Sequence, residues 1–178
     1  MGDPKKLRKK YTTPNHPWQK VRIEDEAVLM KEYDLKNKKE LWKMASILKN
    51  FKERVKKLVP KHDDQAGLEK KQLIEKVISL GLVKEGAKLE DILGIPVKDI
   101  LERRLQTLVF RKGLSSSIKQ ARQFVTHEHI YVGGRMISAP GYLVTLSQQN
   151  LLTRSEKVSV DMSRESEPIK AEAKLEAA

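Results

Sequence analysis

Gly133-Gly134 sits between two β-prone triplets, Ile130-Tyr131-Val132 and Arg135-Met136-Ile137, and constrains the fold more than any other feature. Two successive residues without Cβ can both take positive φ, as the tightest turn between antiparallel strands requires. The pattern therefore predicts a hairpin. Upstream, Ser115-Ser116-Ser117 is a run of N-cap residues, and Ile118, Ala121 and Val125 recur at helical spacing, so a short helix feeds the hairpin. Pro140-Gly141 marks a turn before Tyr142-Leu143-Val144-Thr145, expected as a third strand, and Val158-Ser159-Val160 is a candidate for a later one. Residues 103–162 thus read as a small α/β unit, with two helices packed on a short antiparallel sheet.

The chain before this unit reads as helical. Residues 1–22 carry Pro4, Pro14 and Pro17 and are expected to form an extended basic arm. Over 23–102 a short helix is expected from Ile23 to Asp34, with Ala27, Met30 and Tyr33 inward. A stronger one spans Leu41 to Leu58, where Leu41, Met44, Ala45, Leu48, Phe51, Val55 and Leu58 form one stripe. A third runs from Asp64 to Leu80 on Leu68, Leu73 and Val77, stopped by Gly81. After a helical turn at 89–94, Pro96 opens a helix striped by Val97, Ile100, Leu101, Leu105 and Leu108 and closed by Gly113. Residues 163–178, rich in Glu, Lys and Ala, are expected to be a disordered tail. The overall class is α+β.

Charge narrows the function. The chain has 178 residues and a net charge of +12, concentrated in two blocks. Residues 1–60 hold 17 cations against 8 acids, and residues 103–135 hold 7 against 1. Like charges held together repel unless a counter-charge relieves them, so a polyanion partner is implied, with nucleic acid ahead of an anionic membrane surface. A solvated helical surface laced with ion pairs is the plainer account of the first block. The absence of cysteine excludes a disulfide scaffold, a thiol nucleophile and thiolate metal sites. The basic start lacks an apolar stretch behind it, and no run of about 18 apolar residues crosses a membrane, so a cytoplasmic protein is expected.

Within the second block, Arg103, Arg104, Arg111 and Lys112 lead into the Ser-capped helix. Helical spacing sets Ser116, Lys119 and Gln123 opposite its apolar face, with Arg122 on the flank. Amide, hydroxyl and cationic donors of this kind suit phosphates and 2′-hydroxyls better than base edges. From the residues, the reading is nucleic acid, held mainly by its backbone.

Arg104-Leu105, Gly113-Leu114-Ser115-Ser116-Ser117, Ala121-Arg122-Gln123, His129-Ile130-Tyr131-Val132-Gly133-Gly134 and Pro140-Gly141-Tyr142-Leu143-Val144 together resemble the S-four RNA-binding domain. With the helical region and Leu101 to Thr107, the chain is similar over about 5–160 to the S-four family of small-subunit ribosomal proteins, in its archaeal and eukaryotic form. The resemblance implies a structural, non-enzymatic constituent of the small subunit that binds 16S rRNA directly and nucleates assembly of the subunit body. It also implies S-five and S-twelve as protein neighbours, a contribution to translational accuracy, and no cofactor, metal or small-molecule substrate. It carries rRNA contacts to Ser115, Ser116, Lys119, Arg122, Gln123, His129 and Arg135, beside Arg104 and Lys112. Expected contributions also come from Lys5, Lys6, Arg8, Lys9, Lys10 and Trp18 of the arm and Lys49, Lys52 and Lys56 of the helical region. Gln106 stands where the family commonly has Asp, Gly133 where it has Asn, and Glu128 where it has Gly.

Competing readings explain less. His127 and His129 could share a metal, but no third ligand lies near, and RNA or packing roles are commoner. His62-Asp63-Asp64 is better read as a helix N-cap than as an acid–base pair. The serines lack an orienting acid for nucleophilic catalysis. Trp18 is a candidate for stacking on bases, while Trp42 belongs mainly to the core. An RNA-modifying enzyme would need a catalytic domain that residues 1–102 do not suggest, and a minimal non-ribosomal factor acting on stalled ribosomes would hardly need that helical region.

Overall fold

The computed structural model describes residues 9–155. The strand candidate at 158–160, the tail at 163–178 and the arm cations Lys5, Lys6 and Arg8 lie outside the described residues.

Eight helices and three strands are described: α1 (Lys20–Glu32), α2 (Lys38–Leu58), α3 (Asp64–Ser79), α4 (Asp91–Gly94), α5 (Val97–Glu102), α6 (Leu105–Arg111), α7 (Ile118–Thr126), β1 (Ile130–Val132), β2 (Arg135–Met136), α8 (Leu146–Asn150) and β3 (Leu152–Arg154). They build two hydrophobic clusters. In the first, the expected stripe of α2 packs against Leu73 and Val77 of α3, Ile92 of α4, and Ile100 and Leu101 of α5. Asn37 caps α2 by accepting from the Glu40 backbone N–H at 3.2 Å. In the second, Leu105, Leu108 and Val109 of α6 meet Ala121, Phe124 and Val125 of α7, with Ile130, Val132 and Leu152 from the sheet.

Within the first helices and their caps, four details depart from the expectations. Helix α1 begins at Lys20, inside the region expected as arm, and buries Glu26 while Ala27 is exposed. The buried carboxylate is tolerated because Trp42 Nε1–H donates to it at 3.1 Å, Lys38 Nζ lies 3.2 Å away, and Arg22 pairs with it. Leu68 of α3 is exposed, its inward place taken by Ala66. Asp63 sits at the N-cap of α3 but makes no capping hydrogen bond.

The helix expected from Pro96 to Gly113 is broken in two at Arg103-Arg104. Arg104 is extended, with φ −72° and ψ 142°, and bridges to Leu143. Leu105 N–H donates to Tyr142 C=O at 2.8 Å, and Val144 N–H to Arg103 C=O at 3.0 Å. Thr107 Oγ1–H satisfies Leu101 C=O at the end of α5 at 2.9 Å. Apolar spacing cannot reveal this break, because the stripe continues inward on both sides of it. The expected strand at 142–145 is the other half of that bridge and joins no sheet. The third strand is instead Leu152–Arg154, which pairs with β1 on the side away from β2 and gives the antiparallel order β2-β1-β3.

Candidate nucleic-acid interface

Ser117 is the N-cap of α7, its hydroxyl accepting from Gln120 N–H at 3.2 Å. Ser116 is drawn into the same turn, its N–H and Oγ–H donating to Gln120 Oε1 at 2.7 and 2.6 Å. Ser115 is buried. Beyond the cap, α7 turns Ala121, Phe124 and Val125 inward and leaves Lys119 and Gln123, one turn apart, exposed. The helix ends at His127, and Glu128 follows with φ 62°. Gly133 and Gly134 have φ 57° and 79°, the two positive values the hairpin turn demands, and Arg135 stands exposed beyond them.

The cations of residues 103–135 divide into two sets. One is engaged by the protein itself. Arg104 is 1% exposed and donates from Nη2 to Glu40 Oε2 at 2.7 Å. Arg122 grips the same carboxylate with both terminal nitrogens, at 2.9 and 2.6 Å. Burial alone would raise the pKa of Glu40, but these hydrogen bonds outweigh it and hold the carboxyl below its ordinary value. Burial pulls the Arg104 guanidinium down, against the attraction of Glu40. Arg111 forms a fork with Glu102 at 3.2 and 2.9 Å, which raises the arginine's pKa, and Tyr33 O–H donates to the same carboxylate at 3.0 Å. Burial and then Glu102 push the Tyr33 phenol up. Arg103 donates to Gly81 C=O and Gln149 Oε1, each at 2.9 Å, and Lys112 donates to Gln149 C=O.

The second set is Lys119 and Arg135, which have no ion-pair or hydrogen-bond partner among the described residues. His129 is half-buried against the Phe124 ring, with centroids 6.3 Å apart, and stacks on the exposed His127 at 6.4 Å. No group of three metal-ligating side chains occurs among the described residues. Lys9, Lys10 and Trp18 are exposed, Trp18 at 91%. Trp42 is half-buried, 6.0 Å from the Tyr11 ring. On α2, Lys49 and Lys56 are exposed and Lys52 is half-buried, with Lys49 Nζ 3.7 Å from Glu53.

Two organising residues escaped the sequence reading. Glu40 lies 64 and 82 residues from the arginines it holds, and its only local signature is that of an ordinary first-turn acid. Arg154 donates to Leu114 C=O at 3.0 Å and lies over the Phe124 ring at 6.0 Å, tying β3 to the start of the α7 turn. Gln106, the departure from Asp, is fully buried and donates to Ile118 C=O at 3.2 Å, which joins α6 to α7.

The S4 domain family matches residues 103–150. Three relatives, each named small ribosomal subunit protein uS4, match most of the chain. That of Methanocella arvoryzae is 46% identical over 160 residues, covering 86% of this chain and 78% of the relative. That of Ignicoccus hospitalis is 46% identical over 152 residues, covering 85% and 92%. That of Methanococcus aeolicus is 49% identical over 154 residues, covering 86% and 87%.

Proposed function

The chain belongs to the family of small ribosomal subunit protein uS4, and we propose that it fills its structural place in the subunit by binding 16S rRNA directly through Lys119 and Arg135. The observation that carries this reading is the division of cations. Arg103, Arg104, Arg111, Lys112 and Arg122 are occupied by the fold, whereas Lys119 and Arg135 are free among the described residues to meet phosphates. Gln123, exposed one turn after Lys119, and the half-buried His129 supply hydrogen-bonding groups for ribose hydroxyls. Ser116, spent largely on Gln120, shapes the turn. Lys9, Lys10 and Trp18 extend the contact from the arm, Trp18 by stacking on a base. We take residues 103–162 as the RNA-binding unit, its site as the cytoplasmic small subunit, and S-five and S-twelve as its protein neighbours. Assembly of the subunit body and decoding accuracy are served through this scaffolding, with no catalytic step.

The test is binding of the full chain to small-subunit and large-subunit rRNA, titrated across salt. We expect a preference for the small-subunit RNA that survives high salt. Lys119→Gln with Arg135→Gln should flatten the slope of log affinity against log salt by about 1.5, as two lost phosphate contacts require. Equal affinities for the two RNAs, or an unchanged slope in the double variant, would sink the assignment.

A further inference from the structure

We propose that the groove between α2 and α3 is a second phosphate-binding site, separate from the α7 face, and that it takes a stretch of RNA sugar–phosphate backbone. The groove has a volume of about 500 Å³. Arg54 and Lys57 of α2, Lys61 of the loop after it, and Lys76 of α3 converge on it, with Glu69 the one acid in its wall among the described residues. All four cations are exposed, and none has a carboxylate within 4.0 Å among the described residues. Four cations gathered around a single acid leave a net positive charge whose self-repulsion a polyanion relieves.

The lining also fixes the kind of polyanion. The four cations come from two helices and a loop, more than one carboxylate or one phosphate group can neutralise, whereas successive phosphates along a strand meet them in turn. Three of the four are lysines, flexible point charges that follow a backbone rather than planar forks that read base edges. Gln72 adds an exposed amide able to donate to and accept from a ribose hydroxyl. Leu58 and Leu73, both buried, form a floor that belongs to the first hydrophobic cluster, so the groove is set by packing before any ligand arrives. Lys70 Nζ donates to Lys61 C=O at 2.7 Å, which anchors the loop carrying one of the cations. The α2 lysines expected from sequence, Lys49, Lys52 and Lys56, are not among the groove's lining residues.

This inference rests on the reading of the chain as a 16S rRNA binder, and the experiment separates the two. The full chain carrying Arg54→Gln, Lys57→Gln and Lys76→Gln is compared with wild type and with a charge-matched control, Lys36→Gln, Lys84→Gln and Lys88→Gln. Each is titrated with purified small-subunit rRNA across salt, after circular dichroism has established that it melts as wild type does. The groove variant should lose about 2 from the salt slope, the control nothing, and Lys57→Arg with Lys76→Arg should keep the wild-type slope. A groove variant with the wild-type slope overturns the inference alone, and is the result expected if an acidic protein segment occupies the groove instead. A control that loses as much overturns it too, because diffuse charge would then explain the effect. A wild-type chain without preference for small-subunit rRNA overturns both readings.

Discussion

Glu40 is the residue on which the arrangement turns. Its carboxylate, about one-fifth exposed, neutralises one of two arginines that meet there, and Arg104 is almost wholly out of water. Cutting one partner from a buried ion pair costs more than the pair itself contributes, because the remaining charge stays desolvated. Glu40→Ala should therefore destabilise the protein by about 3 kcal/mol, read from urea unfolding. The pH dependence follows from the lowered pKa. The folded state binds its proton less readily than the unfolded chain, so the contribution is complete above the ordinary carboxyl value of 4.5 and is lost as pH falls below it. Glu40→Gln should be less stable than wild type at pH 7 and lose less between pH 5 and 2. Parallel acid curves would show that Glu40 does not carry this linkage. Arg122, expected from sequence as a phosphate contact, is held by Glu40 in the fold, and a guanidinium on the flank of α7 suits a phosphate and a carboxylate equally well. Its partner comes from a helix 82 residues away, and no local signal announces it.

At the scale of elements, four helices end in the same way and two of them do so at a cost. After α3 and α6 the chain turns through Gly81 and Gly113 at φ 66° and 70°; after α1 and α7 it turns through Asp34 and Glu128 at φ 45° and 62°. In each case the next residue's N–H reaches back to the last turn, as His129 N–H does to Phe124 C=O at 2.9 Å and Leu114 N–H to Val109 C=O at 3.1 Å. A side chain in that conformation crowds the following carbonyl, a cost glycine avoids at the expense of a more flexible unfolded chain. Glu128→Gly should thus raise stability by about 0.5 kcal/mol, visible as a small increase in Tm, with the hairpin unchanged. A lower Tm would mean that Glu128 makes compensating contacts. The elements that were legible, α2, α3, α7 and the β1–β2 hairpin, each combine a periodic apolar face with a cap or a turn residue. Leu152-Thr153-Arg154 has neither and is a strand only because β1 offers an unpaired edge.

At the scale of the molecule, two hydrophobic clusters are joined by polar ties. Glu40 holds Arg104 and Arg122, Glu102 holds Tyr33 and Arg111, and Arg103 links Gly81 at the end of α3 to Gln149 of α8. A Cβ at Gly81 would lie 2.4 Å from the Arg103 guanidinium, so that glycine serves the tie as well as the turn. Each cluster has its own core, so weakening the ties should uncouple them. Wild type should melt in one calorimetric transition, and Arg103→Ala combined with Glu40→Gln in two; a single transition in the double variant would show that the apolar contacts suffice. Sequence by itself determined the α+β class, the amphipathic helices, the Ser-capped helix with its Gly-Gly hairpin, and a basic surface suited to a polyanion, because spacing, turn chemistry and net charge are local or additive properties. Tertiary structure decided the break at Arg103-Arg104, the strand that completes the sheet, and which cations remain free to face outward. Those outcomes depend on partners far away along the chain, and a desolvated arginine is tolerated only where a distant carboxylate meets it.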